Sequence, residues 1–293
     1  MSTTGRDRVA FGVDLGRCNP RLWHDVTQAA DELGYESVWL PEHLIFPETI
    51  STSPAPDDPH VHVSPTTPLF DAFVMLASLA AATRQIRVGT NVYNIGLRHP
   101  FITARAAATL DIVTAGRLDL GIGVSWLEPE WDAVGLDFST RGKRADEILA
   151  ICRRLWTEPV VSHAGTHFQF GAVVFEPKPR QQPLPVHVGG DSRAALRRVV
   201  TAGQGWIGMI HDPASFARSV DVLHELAEAA GVDAGALQRT ALVANPDERT
   251  VDEWHRAGAT RLIVAPWSRS NDAVAGLEHF ARSVGGLQPS GER

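Results

Sequence analysis

The sequence predicts an α/β fold: a (β/α)8 TIM barrel, one domain over residues 1–293, with an insertion between strands 4 and 5. Short β-branched runs alternate strictly with longer segments of helical period, and the alternation can be counted eight times. Apart from one long excursion at 123–184, the chain has the ~200–250 residues that a plain barrel uses. An open doubly wound sheet is the alternative topology for the same alternation.

The elements follow in order. Val9–Leu15 is the first strand run, and helix 22–33 behind it stops at Gly34, where a left-handed residue costs glycine least. Ser37–Leu40 leads to helix 70–82 across a long connection, Leu44 to Leu69, rich in Pro, Ser, Asp and His. Connections of that length usually serve as lids or binding segments. Ile86–Val92 precedes helix 100–113, which Pro100 can open because its missing N–H needs no partner in a first turn, and which Gly116 closes. Arg117–Ile122 is followed by the excursion. There Ala145, Ile148, Leu149, Cys152, Leu155 and Trp156 line one face of helix 142–156, and Val160–Val161 with Phe168–Phe175 reads as a hairpin. Pro185–Val188 with helix 192–202 and Gly203, then Gly205–Met209 with helix 213–230, continue the pattern. Gln238–Val243 precedes helix 250–257, where Thr250 and Glu253 match a capping box and Gly258 ends the segment. Arg261–Ala265 and helix 271–284 complete the count.

Composition excludes several classes of function. At 44% hydrophobic and 21% charged the chain is neither disordered nor fibrous. With 27 Lys+Arg against 34 Asp+Glu it has no basic surplus for nucleic acid or an anionic membrane. The longest apolar stretch, Phe73 to Ala82, is about half of the ~20 residues that span a bilayer. The polar Met1–Arg8 has no secretory core, so a cytoplasmic location is expected. Cys18 and Cys152 form no CxxC pair and read as structural.

In such barrels chemistry sits at the C-terminal ends of the strands. That geometry selects Asp14, Glu42, His43, Asn91, Asn94, Arg98, Gly123 to Trp126, Gly189 to Ser192, His211, Asp212, Trp267 and Arg269. His43, after Trp39-Leu40-Pro41-Glu42, is either a proton donor at the mouth or a hydrogen-bonded loop histidine. Gly189-Gly190-Asp191-Ser192 is either an anion site at a helix start or a plain βα turn. Gly121-Ile122-Gly123-Val124-Ser125-Trp126 begins like a dinucleotide fingerprint but has Trp at the third glycine. In a barrel, the same run lets a ring approach the backbone. Arg98-His99-Pro100 either meets an anion or simply begins a helix. No metal site is expected, because His60 and His62 with Asp57 and Asp58, and His163 with His167, lack a third ligand at fixed spacing. His187, inside a strand, reads as a hydrogen-bonded core residue. No GxSxG elbow or HExxH helix is present.

These strand ends resemble the luciferase-like monooxygenase superfamily, particularly its coenzyme F420-dependent oxidoreductases, over most of the chain. The carriers are Ala30 to His43, Ile86 to Val92 running on to Arg98-His99-Pro100, Ala108-Thr109-Leu110-Asp111 with Gly116-Arg117, the Gly121 to Trp126 run, Arg141-Gly142-Lys143-Arg144 with Glu147, and Val188-Gly189-Gly190. The resemblance implies a bacterial luciferase-like barrel binding F420, or FMN as the alternative, with His43 as the active-site histidine and Glu42 as a second catalytic residue. It also implies a non-prolyl cis peptide at Asn91–Val92 under the ring. Gly123, Val124, Ser125 and Trp126 would flank the cofactor, and Gly189, Gly190, Asp191 and Ser192 its phosphate. Asp14 stands where relatives often have an uncharged residue. Val124 replaces the phosphate-gripping arginine of bacterial luciferase, which favours F420 over FMN. The implied activity is hydride transfer between the deazaflavin C5 and a small organic substrate. The alternatives are an FMN monooxygenase fed by a separate reductase and a non-catalytic cofactor-binding barrel. The implied partners are the small-molecule substrate, a second copy in a homodimer, and an F420 or flavin reductase.

Overall fold

A computed structural model describes residues 9–50, 64–209 and 212–287. The histidines and acids of the long connection, Asp57, Asp58, His60 and His62, lie outside the described residues, as do His211 and Met1–Arg8.

Eleven strands are described: β1 Ala10–Asp14, β2 Ser37–Leu40, β3 Arg87–Thr90, β4 Tyr93–Asn94, β5 Leu118–Gly123, β6 Val161–Ala164, β7 Gln169–Val173, β8 Val186–Gly189, β9 Gly205–Gly208, β10 Gln238–Ala244 and β11 Arg261–Ala265. The parallel order β3-β2-β1-β11-β10-β9-β8-β5 closes on itself through Val88↔Leu118 and Gly89↔Asp119, so the barrel is shut and the open-sheet alternative is ruled out. Helices α1 Trp23–Leu33, α2 Ala72–Ala81, α3 Pro100–Val113, α4 Glu128–Ala133, α5 Arg141–Thr157, α6 Arg193–Ala202, α7 Pro213–Ala230, α8 Glu248–Arg256 and α9 Ala273–Ser283 accompany the strands. The antiparallel pair β6–β7 is the expected hairpin in the excursion. Helix α4, six residues long, is absent from the sequence expectations.

Period-2 alternation divides the strands between two cores. Val38, Leu40, Leu120, Ile122, Leu262 and Val264 pack outward against the helices, while Trp39, Ile207 and Ile263 form a separate cluster with Val92, Met209 and Leu242. Below Trp39, at the strand starts, Asp119 pairs with Arg87 at 2.8 Å and Arg261 at 3.3 Å and meets His187 Nε2 at 3.3 Å, so His187 is the bonded core residue anticipated. Burial opposes the Asp119 charge, but the two guanidiniums and the imidazole outweigh it and hold the carboxyl well below its ordinary range. Cys18 and Cys152 are both free and buried.

Three expectations about local structure need adjusting. Strand three does not run through to Val92: β3 ends at Thr90, and the Asn91–Val92 peptide is cis before β4 begins. Gly34, Gly116 and Gly258 have the positive φ of helix stops, but Gly203 is extended at φ −104°. Glycine is favoured there because a Cβ would stand only 3.1 Å from the Val199 carbonyl oxygen. The expected box of Thr250 and Glu253 is replaced by Asp247, whose side chain accepts from Thr250 N–H, so α8 starts at Glu248. Among the described residues no helix is long and apolar enough to cross a membrane.

Candidate active site

The chain leaves β2 through Pro41 and places Glu42 and His43 at the C-terminal mouth. Glu42 is buried, and its carboxylate is occupied: Arg98 donates from Nη2 at 2.5 Å and Nη1 at 3.0 Å, and Asn94 N–H donates at 2.9 Å. Arg98, whose guanidinium also lies 4.5 Å from the Tyr93 ring centroid, is therefore spent on this carboxylate, a third role beside the anion contact and helix start weighed for it. His43 sits edge-on to Trp126 at 5.8 Å and against Phe46 at 5.0 Å, its side chain 16% exposed. Its Nδ1 lies 3.3 Å from Glu130 Oε2.

Glu130, on α4, is not among the sequence candidates. Its side chain is fully buried, and it gathers four partners: the His43 Nδ1 atom at 3.3 Å, Leu44 N–H onto Oε1, Asn94 Nδ2 at 3.4 Å and Ser125 Oγ at 3.3 Å. A signal was present. Leu127, Glu130, Trp131 and Val134 stand at i, i+3, i+4 and i+7, so the acid occupies the apolar face of its helix, where an ionisable group needs partners. Ser125 is bound into the same network with φ +67°, an uncommon conformation for a residue with a side chain, and its Oγ accepts from Leu127 N–H.

Val92 is the centre of the mouth floor. A Cβ on Gly123 would come within 2.5 Å of Val92 Cγ2, and one on Gly189 within 2.8 Å of Val92 Cγ1. The two glycines thus admit this side chain between the ends of β5 and β8. Nearby, the side-chain oxygen of Asn91 is buried without a partner.

On the β8 side, Gly190 has φ +113°, and Ser192 caps α6 by accepting from Ala195 N–H at 3.2 Å. Asp191 Oδ1 accepts from Met209 N–H at 3.2 Å, and Trp206 Nε1 donates to the Gly190 carbonyl at 2.9 Å, which fixes the turn against β9. Asp14, at the end of β1, accepts from Gly16 N–H and pairs with Arg17 at 3.6 Å. Two groups emerge from the sequence candidates. Glu42, His43, Asn94, Arg98, Ser125 and Trp126 are joined in one cluster, whereas Gly189 to Ser192 form a separate helix-start turn linked to it by the Val92 floor. Others belong to neither. Asp212 is the N-cap of α7 with Ser215, Trp267 Nε1 donates to the Arg17 carbonyl at 3.0 Å, and Arg269 pairs with Asp272 at 2.9 Å on an exposed turn.

This geometry has relatives. An uncharacterized protein of Mycobacterium tuberculosis is 32% identical over 272 residues, covering 88% of this chain and 93% of its own. Monooxygenase RslO1 from Streptomyces bottropensis shares the fold at TM-score 0.74 and 21% identity, over 94% of this chain and 98% of its own. An F420-dependent secondary alcohol dehydrogenase, in complex with an F420–acetone adduct, does so at TM-score 0.76 and 15% identity, over 94% and 99%. Residues 13–283 match the luciferase-like monooxygenase family, and the chain belongs to that family.

Proposed function

We propose that this protein is a coenzyme F420-dependent oxidoreductase in which His43 carries the proton that accompanies hydride transfer to or from a small organic substrate. The observation that carries the reading is the placement of His43: an imidazole at the barrel mouth, anchored through Nδ1, with no hydrogen-bond partner on Nε2 among the described residues. An F420-dependent secondary alcohol dehydrogenase has this fold, and that likeness brings F420 into the reading.

The residues present fit such a group. Val92, seated between Gly123 and Gly189, offers an apolar shelf for a ring. The buried, unpartnered Asn91 oxygen beside it can accept from a ring N–H. The start of α6, with Gly190 in a conformation that brings backbone close, can hold a phosphate on free N–H groups. When bound, F420 supplies a carbon that accepts or gives a hydride. His43 Nε2 takes the proton from a substrate hydroxyl in one direction and returns it to a carbonyl oxygen in the other. Trp126 and Phe46 wall the imidazole and limit its contact with water. Glu42 is held by Arg98 and acts on position rather than on protons.

Titration of the purified protein with F420 and with FMN tests the reading. F420 is expected to bind at least tenfold more tightly, a difference of ~1.4 kcal/mol. Equal or reversed affinities would overturn it in favour of an FMN monooxygenase served by a separate reductase.

A further inference from the structure

We infer that Glu130 is a positioning residue that fixes the tautomer of His43, keeping the ring proton on Nδ1 and presenting Nε2 to the mouth as a proton acceptor. The inference rests on the reading of His43 as the proton carrier and adds to it a named cause.

A carboxylate can only accept hydrogen bonds, so a neutral imidazole facing one with Nδ1 must carry its proton on that nitrogen. Glu130 Oε2 stands 3.3 Å from Nδ1, which selects this tautomer. The carboxylate is itself pinned. Leu44 N–H holds Oε1, so one side chain grips both the imidazole and the backbone of the next residue and sets the ring plane and the loop together. Asn94 Nδ2 and Ser125 Oγ converge on Oε2 from the ends of β4 and β5. Asn94 is in turn fixed through its N–H to Glu42, which Arg98 holds. Three strand ends thus define where the imidazole points. A carboxylate with a purely structural task would be satisfied by Leu44, Asn94 and Ser125 alone. The imidazole is the one partner whose other edge is unbonded and whose ring reaches solvent. For a substrate alcohol the O–H bond breaks and an N–H bond forms at Nε2, giving an imidazolium that keeps its Nδ1 proton on the Glu130 side; the hydride from the carbinol C–H bond would pass to F420, so the alcohol is oxidised and the cofactor reduced. The opposite tautomer would place a proton where an acceptor is needed.

Histidine ¹⁵N spectra with the His43 ring in its neutral form test this, with His43 assigned by the loss of its signals in His43→Gln. In the wild type Nδ1 is expected to be the protonated nitrogen and Nε2 the bare one. In Glu130→Gln the side-chain amide can donate to Nδ1, and the pattern should move toward the Nε2–H form. Ser125→Ala removes one donor but keeps the carboxylate, and should retain the wild-type pattern. A wild-type spectrum showing the proton on Nε2, or an unchanged pattern in Glu130→Gln, overturns the proposal. The wild-type spectrum decides alone if Glu130→Gln does not fold. F420 added to the wild type separates the two levels: a shifted His43 Nε2 signal supports the cofactor reading, whereas no shift with the Nδ1–H tautomer intact overturns that reading and leaves the role of Glu130 standing.

Discussion

The indole of Trp39 and the backbone of Gly89 share one cross-section of the barrel, so that a Cβ on Gly89 would lie 2.5 Å from Trp39 Cε3. Gly12 meets the other side of the same ring, where a Cβ would lie 2.7 Å from Nε1. The ring cannot swing away. Its Nε1 donates to Ser37 Oγ at 2.7 Å, and the Arg261 guanidinium lies 5.0 Å from its centroid. Gly89→Ala should therefore overpack the barrel axis and lower stability by ~1–3 kcal/mol. Thermal unfolding by calorimetry checks this, and an unchanged melting temperature would show that the indole can move.

Asp119 joins Arg87, Arg261 and His187 beneath that indole. Asp119→Asn takes the paired carboxylate from Arg87 and leaves Arg261 with Glu36 alone, and a loss of ~3–5 kcal/mol is expected. The sign of the pH dependence follows from the depressed folded value. The ionised carboxylate contributes its stability in full above the unfolded value of ~3.9, and that contribution fades as pH falls below it toward the folded value. Urea midpoints measured across the acid range should show this loss in the wild type and a flatter profile in Asp119→Asn.

Glu42 and Arg98 behave as a unit in the same sense. Arg98→Met strands a carboxylate whose side chain is 2% exposed, and should cost ~3–5 kcal/mol, whereas adding Glu42→Gln should recover part of that. A double-mutant cycle by urea unfolding measures the coupling, and strictly additive losses would contradict the pairing.

The barrel was legible because burial on two faces writes itself locally: Val38 and Leu40 face the helices while Trp39 faces the axis, and the run reads as continuous apolar sequence. Helix ends were less legible. Thr250 fits a capping motif, but the Asp247 carboxylate three residues earlier competes for the same N–H and wins. At the mouth, strand ends pointed to His43, Ser125 and Gly189, whereas the meaning of the glycines did not appear, since it depends on Val92 arriving from β3. Glu130 lies 87 residues from His43, and no local pattern announces a pair so separated.

His43 supplies the sharpest functional expectation. Imidazole is a side chain able both to give and to take a proton in general acid–base chemistry. If Nε2 carries the transferred proton, His43→Ala should lower single-turnover hydride transfer by ~10²–10⁴-fold. F420 affinity should change far less, because the Val92 shelf and the Gly189 to Ser192 turn are built without the imidazole. A histidine that only satisfied Glu130 would give the reverse pattern: the buried carboxylate would lose one of four partners and the melting temperature would fall, while each folded molecule kept its rate. Transfer rate and melting temperature measured on one preparation of the mutant distinguish these outcomes. Full activity per folded molecule would remove His43 from the chemistry and leave it as a strut for the α4 carboxylate.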